Sequence, residues 1–151
     1  MHLPICVAGL LALCAVGLVG CKTSEKPGSS SHASVTVKGR SDKEIRQVTK
    51  VVFGEQGYVL ASERAEYMEF QRPGSRSDAL KWGGWSGDGV VIRAKVRMTR
   101  LADDSCLLQL DMFVVRDAGQ AVFESESRML LLDKEPYRHL MNEIGKRLPA
   151  P

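Results

Sequence analysis

The chain has 151 residues, 44% hydrophobic, 26% charged and 6% aromatic, with a formal net charge of +3. That length holds one ordinary domain, with or without tails, and excludes a TIM barrel, a kinase core or a two-domain dinucleotide enzyme. The charged fraction is that of a globular protein, and the net charge is too small to announce a nucleic-acid binder.

The charge is distributed unevenly. Leu3 to Val19 carries none, and every Lys, Arg, Asp and Glu lies at Lys22 or later. The run LPICVAGLLALCAVGLVGC is apolar and ends in small residues, as the hydrophobic region of a secretory signal does. Leu18-Val19-Gly20-Cys21 resembles a lipobox, the signal-peptidase II site of bacterial lipoproteins. The resemblance covers the first 21 residues. It implies a signal peptide over 1–20, cleavage between Gly20 and Cys21, and acylation of Cys21 by a diacylglycerol and a further chain of the palmitate kind. The basic residues that usually precede the apolar run are absent; only Met1 and His2 stand there. An uncleaved membrane anchor and an ordinary secretory signal are the alternatives, since about 17 apolar residues is at the short end of what spans a bilayer. Two or three acyl chains tether a protein stably, at about 0.8 kcal/mol per buried CH₂. The implied address is the bacterial cell envelope. Lys22, rather than Asp, after the acylated Cys favours the outer membrane, facing the periplasm, under the enterobacterial sorting rule.

The cysteines agree with this reading. Cys6 and Cys14 lie in the leader and Cys21 at its end, which leaves Cys106 alone among the four. No internal disulfide then forms even in an oxidising compartment. Cys106 sits in a strand pattern beside Leu107 and Leu108, where a small buried hydrophobe is expected rather than a catalytic thiol, which would want a His nearby.

From the acylation site to Ser34 the chain reads CKTSEKPGSSSHAS, the composition of a flexible tether. About 13 residues of such a coil reach roughly 20 Å. A single domain is expected over 35–151. Ser34 to Lys38 alternates as a first strand. Ser41-Asp42-Lys43-Glu44 fits a capping box that opens a helix over Asp42–Phe53, with Ile45, Val48 and Val52 on one face. Gly54 or Gly57 ends it. Strands are expected at Tyr58–Ser62 and Ala65–Arg72, joined at Glu63-Arg64. Ser75 to Asp88 shows no period. Gly89 to Thr99 alternates an apolar face with a basic one, and Leu108 to Val114 returns antiparallel. Asp117-Ala118-Gly119 predicts a three-residue hairpin with Gly119 left-handed, leading to a strand from Ala121 to about Leu132. Asp133 is the expected N-cap of a last helix, with Tyr137, Leu140, Met141, Ile144 and Leu148 in one stripe.

The predicted order is β-α-β-β-β-β-β-α. This is an α+β domain: a curved antiparallel sheet of five to six strands with two helices on one face. In element order and compartment it resembles the helix-grip domains of bacterial envelope lipoproteins, including those attached to the outer-membrane protein assembly machinery.

The segment RSDALKWGGWSGD holds both tryptophans, Trp82 and Trp85, next to Lys81 on a Gly-rich connection. Long irregular loops are often functional, and Trp is favoured at interfaces and at headgroup level, so Lys81, Trp82 and Trp85 are the candidate interface. The competing reading folds one or both Trp back over the sheet. The basic row Arg93, Lys95, Arg97 and Arg100 reads as a solvated sheet face with Gln109 and Asp111 as cross-strand partners. His32 falls in the tether and His139 on a helix surface. No His or Cys pair has zinc spacing, and no GxSxG or Walker loop appears, so no metal, cofactor or nucleic acid is expected. The expected function is a non-enzymatic, lipid-anchored module that binds or scaffolds another envelope component, a protein by preference. The alternative is a carrier of a small apolar ligand or lipid between sheet and C-terminal helix, lined by Met68, Met98, Met112, Met129 and Met141.

Overall fold

A computed structural model describes residues 31–82, 90–119, 122–130 and 134–149. The lipobox and most of the tether lie outside these residues. The elements are β1 (Ala33–Lys38), α1 (Asp42–Glu55), β2 (Val59–Glu63), β3 (Tyr67–Pro73), α2 (Arg76–Trp82), β4 (Val91–Arg100), β5 (Ser105–Arg116), β6 (Ser125–Arg128) and α3 (Glu135–Arg147). The α+β class and antiparallel sheet are as expected, with a third, short helix added.

The sheet runs in the order β1-β5-β4-β3-β2, and β6 also pairs with β5. The long strand β5 therefore has β4 along one edge. Along the other it has two partners in succession, β1 opposite Ser105–Leu110 and β6 opposite Phe113–Arg116. One sheet face is apolar. Ile92, Ala94, Val96, Leu108, Leu110, Met112, Met68 and Phe70 pack there against Ile45, Val52 and Phe53 of α1 and Leu140, Met141 and Ile144 of α3. The alternation of β4 and of the middle of β5 puts Arg93, Lys95, Arg97, Gln109 and Asp111 on the other face.

Local chemistry accounts for the helix ends. Ser41 and Glu44 form the predicted capping box at α1. Gly57 adopts φ +76, the left-handed turn that leads into β2. The Ser75–Asp88 segment departs from expectation. Ser75 and Asp78 form a second reciprocal cap, with the Ser75 N–H donating to Asp78 Oδ2 at 2.8 Å and the Asp78 N–H to Ser75 Oγ at 3.1 Å. That cap starts α2. The predicted last strand is likewise shorter, Ser125–Arg128 only. Gly119 is left-handed at φ +86 as expected, but Asp117 is too at φ +52, and the turn continues to Glu124 rather than closing in three residues. At α3 the cap position falls on Lys134, which makes no side-chain cap bond, and Asp133 lies outside the described residues. The tether also ends sooner than its composition suggested. Ser31 and His32 are buried and Ala33 already belongs to β1.

Gly74 sits where β3 passes into α2, and its N–H donates to Val90 O at 2.7 Å. A Cβ there would lie 2.5 Å from Val90 Cγ2 and 2.8 Å from the Val90 carbonyl oxygen. The backbone oxygen cannot swing aside, so Gly74→Ala is expected to cost about 2 kcal/mol by overpacking. Gly54→Ala, which meets nothing within 4 Å, serves as the control and should be neutral or gain up to about 1 kcal/mol of helix propensity. Urea midpoints of the two variants check this; equal midpoints would refute the close-approach reading.

Candidate functional site

The strand registers bring one set of segments to a common end of the sheet. Pro73 pairs with Val91 and Val91 with Val115, so the end of β3, the start of β4 and the end of β5 lie side by side. α2 and the β5–β6 turn extend from this end. β1 runs antiparallel to β5, so the chain upstream of Ala33 heads toward it as well.

The predicted interface residues fall here. Lys81 is exposed, with its ammonium 5.0 Å from the centre of the Trp82 ring. Trp82 is half-buried against the core, and its carbonyl accepts from Arg116 Nε at 2.7 Å, tying α2 to the end of β5. Trp82 thus partly takes the covering role that was the competing expectation. Trp85 lies outside the described residues, as do Gly20 and Cys21. The exposed apolar surface at this end is instead carried by Leu80 at 83%, Val122 at 86% and Phe123 at 68% exposure; Leu130, also exposed, lies back from this end, past the Met129–Met112 rung. Leu80 lies in a helix and Val122 and Phe123 in a turn, so no single local pattern marks them.

His32 has a different role from the one its tether position suggested. It stands where β5 changes partner from β1 to β6. The His32 N–H donates to Leu110 O at 2.9 Å, and the Met129 N–H to Met112 O at 2.9 Å. Between these rungs the Met112 N–H has no strand partner and donates to His32 Nδ1 at 3.1 Å. His32 Nε2 lies 2.7 Å from Met129 O. The Met112 donor assigns the acceptor role to Nδ1, so Nε2 carries the proton given to Met129 O. Asp111 Oδ1 is 3.2 Å from Nδ1 and is paired with Arg128. The imidazole fills a gap in the hydrogen-bond ladder.

Arg93 and Lys95 of the basic row are engaged on the polar sheet face. Lys95 does stand opposite Asp111 and Arg97 opposite Gln109. The strongest partners, however, come from elsewhere. Arg93 pairs with Glu126 at 2.6 Å and Glu124 at 2.9 Å, and its Nε lies 3.1 Å from Glu69 without hydrogen-bond alignment. Lys95 pairs with Glu126. Arg100, of the opposite parity, lies on the helix-covered face and pairs with Asp42 of α1. Hydrogen bonds from the Gly119 N–H and Arg93 hold the Glu124 carboxyl below its usual range. For Glu126 burial opposes the charge, but Lys95 and Arg93 outweigh it and its carboxyl is also held low. Ser41 bonds lower Glu44, and the Arg147 hydrogen bond lowers Glu55. A carboxyl lowered by folding adds stability above its unfolded value, here the ordinary glutamate 4.5, and that contribution is lost as pH falls through the folded value. The urea midpoint should therefore hold steady from pH 7 to about pH 5 and fall below pH 4.5, less steeply in high salt. A flat profile down to pH 3 would show that these pairs contribute nothing.

Cys106 is buried, and desolvation pushes its thiol upward, which disfavours the thiolate a nucleophile needs. Among the described residues no group of three or more His, Cys, Asp or Glu is placed to hold a metal ion, and no helix is long and apolar enough to cross a membrane. The methionines expected to line a cavity fill the core: Met68, Met112 and Met141 are fully buried. The cleft between α1 and α3, about 490 Å³, opens outward instead, with Arg147 bonded to Glu55 on one side and Glu143 on the other. No family model, curated protein or solved structure matches the chain.

Proposed function

We propose that the protein is a lipid-anchored, non-enzymatic envelope module, tethered through Cys21, whose domain engages a second envelope component through the α2 end of its sheet. The observation that carries this reading is the charge-free run Leu3–Val19 ending in Leu18-Val19-Gly20-Cys21. The exposed Leu80, Lys81, Val122 and Phe123 support a contact surface at the α2 end. A filled core favours this over the carrier of an apolar ligand, for which the space between sheet and helices would have to be open. Tethering would raise the effective concentration of the domain toward neighbours in the same membrane.

The test is processing. Inhibition of signal peptidase II by globomycin should make the uncleaved precursor accumulate. Cys21→Ala should abolish both cleavage and acylation, read by the mass of the N-terminal peptide. Normal maturation under either condition would exclude the lipoprotein reading.

A further inference from the structure

The second envelope component is open to identification by the chemistry of the α2 end. The apolar side chains there form no flat patch. Val122 and Phe123 stand on the turn between β5 and β6 and Leu80 on the short helix α2; each is more than two-thirds exposed. Cations flank them: Arg76 and Lys81 on α2, Arg116 at the end of β5, and Lys134 and Arg138 at the start of α3, all exposed. The acids nearby are largely engaged. Asp78 caps α2, Glu124 is bonded to Arg93 and Gly119, and Glu135 lies 3.6 Å from Arg138, while Asp117 is half-buried in the turn. Protruding apolar tips among cations suit the boundary between headgroups and acyl chains, where apolar side chains enter and Lys and Arg meet lipid phosphates.

The chain path points the same way. The described residues begin at Ser31, locked by the His32 ladder contacts beside Leu130 and the start of α3. Nine residues, 22–30, separate Ser31 from Cys21. A chain of that length spans at most about 35 Å even at full extension. An acylated Cys21 therefore holds this corner of the domain close to the bilayer.

We infer that the α2 end is a membrane-contact face, seated on the anionic phospholipid surface of the membrane that holds the anchor, with Leu80, Val122 and Phe123 at headgroup depth. This inference rests on the lipid-anchor reading and names the component that the α2 end engages.

The test uses the full chain made in a bacterial host, with a benzoylphenylalanine photocrosslinker at position 80 or 123, and at 101 in the β4–β5 turn as the control. Irradiated membranes are analysed by the intact mass of the protein. Phospholipid adducts at 80 and 123, at least about tenfold above those at 101, are expected. In purified protein reconstituted in phosphatidylethanolamine/phosphatidylglycerol vesicles, Lys81→Glu/Arg116→Glu should reduce the adducts at 123 by about fivefold or more per lost cation. Adducts to a protein at 80 and 123, equal lipid labelling at 101, or no adduct at any position would overturn the membrane-contact face. The N-terminal peptide mass from the same sample separates the two readings. An acylated Cys21 without lipid adducts defeats this inference alone; an unacylated Cys21 defeats the anchor itself.

Discussion

Phe53→Ala is expected to lower the stability of the domain by about 4 kcal/mol, within the 3–5 kcal/mol typical of a buried Phe. Phe53 is fully buried near the end of α1. Its ring stacks on Phe70 of β3 with centroids 4.4 Å apart and planes 12° from parallel, and meets the Tyr58 ring edge-on at 5.4 Å. Truncation removes the transfer energy of the ring, opens a cavity between helix and sheet, and deletes two aromatic pairs worth about 0.5–1.5 kcal/mol each beyond their area. Domains of ordinary size hold only about 5–15 kcal/mol in total, so the variant is left marginal. Val51→Ala, two residues away and 43% exposed, should change stability by less than about 0.5 kcal/mol. Urea unfolding of both variants checks the pair. Comparable losses at 51 and 53 would mean that α1 does not present the face described.

His32→Ala should cost about 3 kcal/mol, although the residue lies where composition suggests a free tether. The substitution leaves the Met112 N–H and the Met129 carbonyl without partners at a buried junction, and each orphaned group costs about 1–3 kcal/mol. Water admitted to the gap offsets part of this. Asp111→Asn is the discriminating control. Its ion pair with Arg128 is more than one-third exposed on both sides and is worth less than about 1 kcal/mol. Amide exchange at Met112 should accelerate in His32→Ala and not in Asp111→Asn. If Asp111→Asn costs as much as His32→Ala, the imidazole is held by the carboxylate rather than by the ladder.

These two residues show how far the sequence could be read. The stripe Ile45, Val48, Val52 identified the buried face of α1, and Phe53, one residue further on, lies beside it. The period-2 pattern of Val91–Arg100 identified a strand with one wet face and Asp111 and Gln109 as its cross-strand partners; the register that sets Lys95 opposite Asp111 and Arg97 opposite Gln109 came from the pairing of β4 with β5. Capping at Ser41–Glu44 was legible because its partners are three residues apart. The equivalent Ser75–Asp78 cap was equally local and was overlooked because the glycines and tryptophans after it suggested a loop. Lys81 and Trp82, the described members of the candidate interface, fall at the end of the sheet from which α2 extends. The apolar side chains actually exposed there, Leu80, Val122 and Phe123, stand out only once neighbouring elements show that nothing covers them.

Periods, caps, turn glycines and the run Leu18-Val19-Gly20-Cys21 act between residues a few positions apart, and the sequence alone declares them. It sufficed for the α+β class, most of the elements and the expectation of an acylated Cys21. Tertiary structure decided what depends on segments far apart in the chain. It gave β1 and β6 the same edge of β5, drew Glu69, Glu124 and Glu126 onto Arg93, and turned His32 from a tether residue into the seal between two strands. The physical reason is that a backbone N–H such as that of Met112 must find a partner wherever folding buries it. That partner, 80 positions away, is chosen by strand pairing rather than by any local pattern.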